Sequence, residues 1–239
     1  MSQEKTSGSG TARPGRRTPL IVAAVAIVAA LGITAAVVLG GNDDKASGTG
    51  SSAVAEVSGA QDSTKAATVL DRPFTKPSLV LTDTKGQKYD LRERTKGKPT
   101  LIYFGYTHCP DVCPMTMSNI ALAKRELPKA DQDKLQVVFV TTDPERDTSA
   151  ELAKWLPAAG DPTFTGLTGD FSAIQAGARS IGIGIDPPKK EGDKVISMHG
   201  AQVIAFSPTT DQGYVLYGED TTVEEYAKDL PKLIKGENP

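Results

Sequence analysis

Apolar residues fall along this chain in two different ways. Residues 19–41, PLIVAAVAIVAALGITAAVVLGG, are apolar almost throughout and carry no charge. From residue 67 onward, short apolar runs alternate with stretches of helical period. SLVLTDTKGQKYDL (residues 78–91) predicts a hairpin that turns at Lys85 and Gly86. TLIYFGY (100–106) and LQVVFVTTD (135–143) are continuous apolar runs, the pattern of strands buried on both faces. Between them, residues 114–127 predict a helix with Ile120, Leu122, Ala123 and Leu127 on its apolar side. Asp147 or Thr148 caps a following helix through Leu152, Trp155 and Leu156, and Asp170 caps a third over DFSAIQAGARSIGI. AQVIAFSP (201–208) and GYVLYG (213–218) predict a second hairpin, and TTVEEYAKDLPKLI (221–234) a closing helix. Strands that alternate with helices and end in a hairpin and helix indicate an α/β sandwich with a mixed sheet.

The uncharged run changes the picture of the whole chain. About 20 apolar residues suffice to span the hydrocarbon core of a membrane as a helix. Arg13, Arg16 and Arg17 precede the run and Asp43 and Asp44 follow it, which places the N-terminus in the cytoplasm and the rest outside. A cleaved signal peptide is the alternative, but its apolar region would be shorter, about 7–15 residues. The expected organisation is a disordered cytoplasmic tail (1–18), a transmembrane anchor (19–41), a flexible Gly/Ser/Ala linker (42–66) and one globular domain (67–239). No internal repeat is visible. A net charge of -2 and a pI of about 5.8 imply no extended basic face, which excludes nucleic acid as the main partner.

The chain has only two cysteines, Cys109 and Cys113, both in GYTHCPDVCPM. They stand at the carboxyl end of a predicted central strand and just before a helix, where open α/β sheets bind ligands. A helix N-terminus also favours thiolate. A structural disulfide is the bland reading, since an exported domain permits one, but so short a loop makes an inefficient staple. A thioredoxin-type redox pair would have two intervening residues rather than three. Zinc is under-supplied, because structural sites take four Cys or His ligands and the chain has two of each. Two thiolates and an imidazole suit copper better.

The imidazole must come from His108 or His199. His108 adjoins Cys109 and its side chain is expected to point away from the pair. His199 directly precedes a predicted strand, and approaches the cysteine loop if that strand lies beside residues 100–106. A surface or hydrogen-bonded role remains open for either. In TTDPERDT, Asp143 and Asp147 are candidates to lie near the metal or a docking partner. The plainer reading is that Asp143 ends a strand, Pro144 turns the chain and Asp147 caps a helix. Met115, Met117 and Met198 flank the site; thioethers bind Cu(I), although core or rim packing explains them equally.

FGYTHCPDVCPMTM, TTDPERDT, FTGLTG and MHGAQVIAFSP, in this order, resemble the Sco/SenC proteins. The resemblance runs from Ala67 to Leu233. It implies a thioredoxin-like fold, with a central mixed sheet flanked by helices, and a copper site at Cys109, Cys113 and His199 that takes Cu(I), Cu(II) or both. It also implies a role in building the binuclear copper centre of cytochrome c oxidase subunit II. That acceptor is then the expected partner, beside an upstream copper donor and a thiol reductant. The membrane-anchored, extracytoplasmic arrangement fits bacterial members. A competing reading makes Cys109 and Cys113 a thiol-disulfide reductase that keeps the acceptor cysteines reduced. Against it, no proline immediately precedes AQVIAFSP, where thioredoxin-like oxidoreductases place one; Gly200 and His199 stand there. A copper-dependent sensor is a third reading.

Overall fold

The computed structural model describes residues 67–192, 194–200 and 202–239. The expected tail, anchor and linker, residues 1–66, lie outside the described residues. Among the described residues no helix is long and apolar enough to cross a membrane.

In chain order the elements are β1 (Ala67–Thr75), β2 (Val80–Asp83), β3 (Lys88–Asp90), α1 (Leu91–Thr95), β4 (Thr100–Gly105), α2 (Val112–Glu126), α3 (Lys129–Lys134), β5 (Gln136–Thr141), α4 (Ser149–Ala159), β6 (Thr165–Thr168), α5 (Phe171–Arg179), β7 (Lys189–Glu191), β8 (Lys194–Ile196), β9 (Val203–Phe206), β10 (Gln212–Tyr217) and α6 (Val223–Lys235). Eight strands make one sheet in the order β1-β10-β9-β4-β5-β6-β2-β3. β4, β5 and β6 run parallel, and the other pairings are antiparallel. β7 and β8 form a separate hairpin.

The sheet separates two apolar layers. Leu101 and Tyr103 of β4 face a cluster completed by Ile120, Leu152, Tyr226 and Leu230 from α2, α4 and α6. Ile102 and Phe104 face the other way, toward Leu91 of α1 and Ile174 and Ala178 of α5. Strict alternation along a wholly buried strand explains why β4 reads as a continuous apolar run. Both cysteines belong to the first layer.

Two expectations need correction. Leu122 is 43% exposed, and the buried stripe of α2 instead runs through Met117, Ile120, Ala121 and Ala123. The helix starts two residues earlier than the apolar pattern implied, and at 3.6 residues per turn Leu122 stands about 200° round from Ile120, on the opposite face. The second concerns Asp147 as a cap of α4: of the two caps offered, Thr148 is the one used, its hydroxyl accepting from the Glu151 N–H at 3.3 Å. Asp147 is engaged elsewhere.

One pairing matters most for the site. β9 lies antiparallel to β4, with Tyr103 opposite Val203 and Thr100 opposite Phe206. The start of β9 therefore adjoins the end of β4, and the loop carrying His199 meets the loop carrying the cysteines.

Candidate metal centre

The cysteine loop leaves β4 at Gly105. A β-carbon there would stand 2.9 Å from the Cys113 sulfur and 2.7 Å from Tyr103 Cε1, so only glycine lets the sulfur lie against the strand. A turn follows, in which the Cys109 N–H donates to Tyr106 O at 3.3 Å. Asp111 then caps α2, its carboxylate accepting from the Val112 N–H at 2.7 Å. The next free amide of that first turn, from Cys113, donates to the Cys109 sulfur at 3.4 Å. One sulfur thus helps cap the helix that carries the other. The cysteines are free thiols, not a disulfide.

Cys113 is fully buried, and its thiol receives the Tyr103 hydroxyl at 3.4 Å. Burial pushes this thiol up to about 12. The hydrogen bonds from the Tyr103 hydroxyl and the Tyr106 N–H pull the other way, and the neighbouring Cys109 adds to the rise. The helix N-terminus was expected to favour thiolate; at Cys113 desolvation outweighs it. The Tyr106 hydroxyl is likewise raised to about 12, by burial first and then by the Cys109 sulfur beside it.

His199 sits on the loop leading into β9. The N–H of Gly200 donates to Phe104 O at 2.8 Å, holding this loop against the end of β4. The rings of Tyr106 and His199 lie 6.4 Å apart, so Tyr106 neighbours both the Cys109 sulfur and the imidazole. His199 Nδ1 is buried and has no hydrogen-bond partner. An unpaired buried ring nitrogen is costly, and such an atom is chemically suited to donate to a soft or borderline metal. Among the described residues, however, no three His, Cys, Asp or Glu side chains stand close enough to hold a metal ion as they are. The cysteines are assembled as a pair; His199 is adjacent but not closed onto it.

His108 is placed differently. Its ring is 53% exposed, with Nδ1 3.0 Å from Thr107 Oγ1 and 3.7 Å from Asp147 Oδ1. Met117 is buried in the core, while Met115 and Met198 are about half exposed, at 45% and 47%.

The two aspartates of TTDPERDT have roles that the sequence does not signal. Asp147 is completely buried and accepts from the Thr107 N–H (2.9 Å), Thr107 Oγ1 (2.6 Å) and Thr141 Oγ1 (2.7 Å). It ties the cysteine loop to β5 and caps nothing. Asp143, also buried, accepts from Arg146 Nε at 2.6 Å and from Ser197 Oγ at 2.8 Å. Ser197 and Tyr106 carried no signal in the sequence, since an isolated serine or tyrosine has no periodic or spacing signature.

The SCO1/SenC family model matches residues 66–235. The chain belongs to the SCO1/SenC family. Its mixed sheet and flanking helices are the thioredoxin-like Sco fold. ScoI of Bradyrhizobium japonicum, solved with copper bound, is 33% identical and superposes with a TM-score of 0.58, over 69% of this chain and 99% of that one. Apo Sco1 from Thermus thermophilus, solved in solution, is 28% identical with a TM-score of 0.62, over 71% and 96%. The mitochondrial SCO2 homologue of Mus musculus is 32% identical over 64% of this chain and 60% of its own length. The chain spans less than two thirds of the length of these curated relatives.

Proposed function

We propose that this protein is a copper chaperone, anchored in the membrane by residues 19–41, that delivers copper to the binuclear centre of cytochrome c oxidase subunit II during oxidase assembly. Its domain lies outside the cytoplasm. Copper is the cargo, taken from an upstream donor and passed to an acceptor with similar ligands. Cys109 and Cys113 supply thiolate sulfurs and His199 an imidazole nitrogen. The observation that carries this reading is the unpartnered, buried Nδ1 of His199 on the loop beside two free, adjacent thiols. The family membership and the copper-bound relatives support it.

The chain's own groups account for uptake and release. Cys113 holds its proton when metal-free, so uptake displaces that proton, while the Tyr103 hydroxyl remains as a donor to the sulfur. A half-exposed rim at Met115 and Met198 leaves an acceptor room to displace ligands in turn. The raised Cys113 thiol is a poor nucleophile, which counts against a reductase that works through it.

The test is Cu(I) titration of the reduced full-length protein against a chromophoric chelator. Cys109→Ser, Cys113→Ser and His199→Ala should each weaken binding by at least about tenfold, and His108→Ala by less than about threefold. Equal losses from the two histidine variants would overturn the ligand assignment. Rescue of oxidase assembly in the double cysteine variant by an added thiol reductant would favour the reductase instead.

A further inference from the structure

Asp143 and Asp147 stand on the same short connection between β5 and α4, and each reaches one of the two loops that make the site. Asp147 holds Thr107, two residues before Cys109. Asp143 holds Ser197, two residues before His199. Arg146 closes the second contact, with Nε on Asp143 Oδ2 at 2.6 Å and Nη2 on Ser197 Oγ at 3.2 Å. The connection therefore sets the position of the histidine loop relative to the cysteine loop.

We infer that Asp143, Arg146 and Ser197 form a positioning device for His199 that determines how well the site holds Cu(II) relative to Cu(I). The inference rests on the copper reading above. With Nδ1 as the donor atom, the place of the imidazole follows from the groups that hold its loop. His199 Nδ1 has no protein partner, and among the described contacts the loop is tied at Ser197 and at Gly200. Only Met198 and His199 lie between these two tethers. With Asp143 and Ser197 both buried, loss of the serine hydroxyl leaves a carboxylate oxygen short of a donor and frees one end of the loop. The two copper states then respond differently. Cu(I) is held chiefly by the soft thiolates and tolerates a less exactly placed imidazole, whereas Cu(II) draws more on it.

The experiment compares Ser197→Ala and Ser197→Thr with the parent in reduced full-length protein. Cu(I) affinity is read by chelator competition, and Cu(II) affinity by thiolate-to-copper charge-transfer absorption. Exchange of the Gly200 amide is followed in the metal-free protein. Ser197→Ala should lower Cu(II) affinity by about 10- to 100-fold, leave Cu(I) within about threefold, and speed Gly200 exchange. Ser197→Thr, which keeps the hydroxyl, should restore both. Equal losses for the two oxidation states, no loss of Cu(II) affinity, or unchanged Gly200 exchange in Ser197→Ala would each overturn the inference. If the parent protein binds neither copper state, the copper reading fails by itself. The exchange measurement then still decides whether Ser197 positions the loop.

Discussion

Cys113 illustrates how far burial can move a single group. Its thiol lies between β4 and α2 with a tyrosine hydroxyl as donor, and desolvation lifts it from the ordinary 9.0 to about 12. As pH rises above 9, the unfolded chain ionises this thiol while the folded chain resists. Stability contributed by the buried thiol is thus complete below that point and lost between 9 and about 12. Metal uptake has the opposite pH dependence, because it must displace the proton. At neutral pH copper should release a proton from Cys113, and apparent affinity should rise about tenfold per pH unit for that proton alone. A pH-stat during Cu(I) addition measures this directly; affinity that stays flat across roughly pH 6 to 8 would remove Cys113 from the ligand set. Gly105 is the residue that makes the arrangement possible. Gly105→Ala would push a methyl into Tyr103, Cys113 and Phe139, all buried, and should cost about 1–3 kcal/mol in urea unfolding while weakening copper binding. Parental stability in that variant would show the sulfur does not need the space.

At the scale of elements, legibility followed periodicity. β4, β5, β9 and β10 stood out because buried strands concentrate apolar residues, and α5 because Asp170 precedes it as a cap. β1 did not stand out. It is an edge strand, largely exposed and interrupted by Pro73, so it pairs through its backbone without an alternating pattern. α3 buries no residue at all, and β7 and β8 are three residues each, too short to carry a period. The cysteines were legible because their type is rare in the chain. His199 was legible only through its place before a strand and through the family resemblance. The bracket formed by Asp143 and Asp147 was not, because hydrogen bonds to Ser197 and Thr107 join segments that no local pattern relates. A buried aspartate and a helix cap look alike in sequence; what separates them is which amide lies nearby.

For the whole molecule, the proposed topology makes a direct claim about access. With residues 19–41 spanning the membrane and the domain outside, protease added to intact spheroplasts should remove residues 67–239 and leave the tail protected. Complete protection of the domain, or its recovery free in the medium, would refute the anchor. Such a tether confines the domain near the membrane surface, where an integral acceptor is also confined. Encounter is then governed by an effective concentration set by linker length rather than by bulk diffusion.

The antiparallel seam between β4 and β9 has a kinetic consequence. β4 and its cysteine loop are complete well before the chain reaches β9, and the two meet only when a long intervening segment has closed. Such non-local closure is entropically slow. During synthesis the thiols therefore exist for a time without their imidazole neighbour, open to oxidants that the finished fold largely excludes. Any ligand held by both loops would bridge the early-made and late-made parts of the chain, so its binding energy would appear chiefly as a slower opening of this central seam.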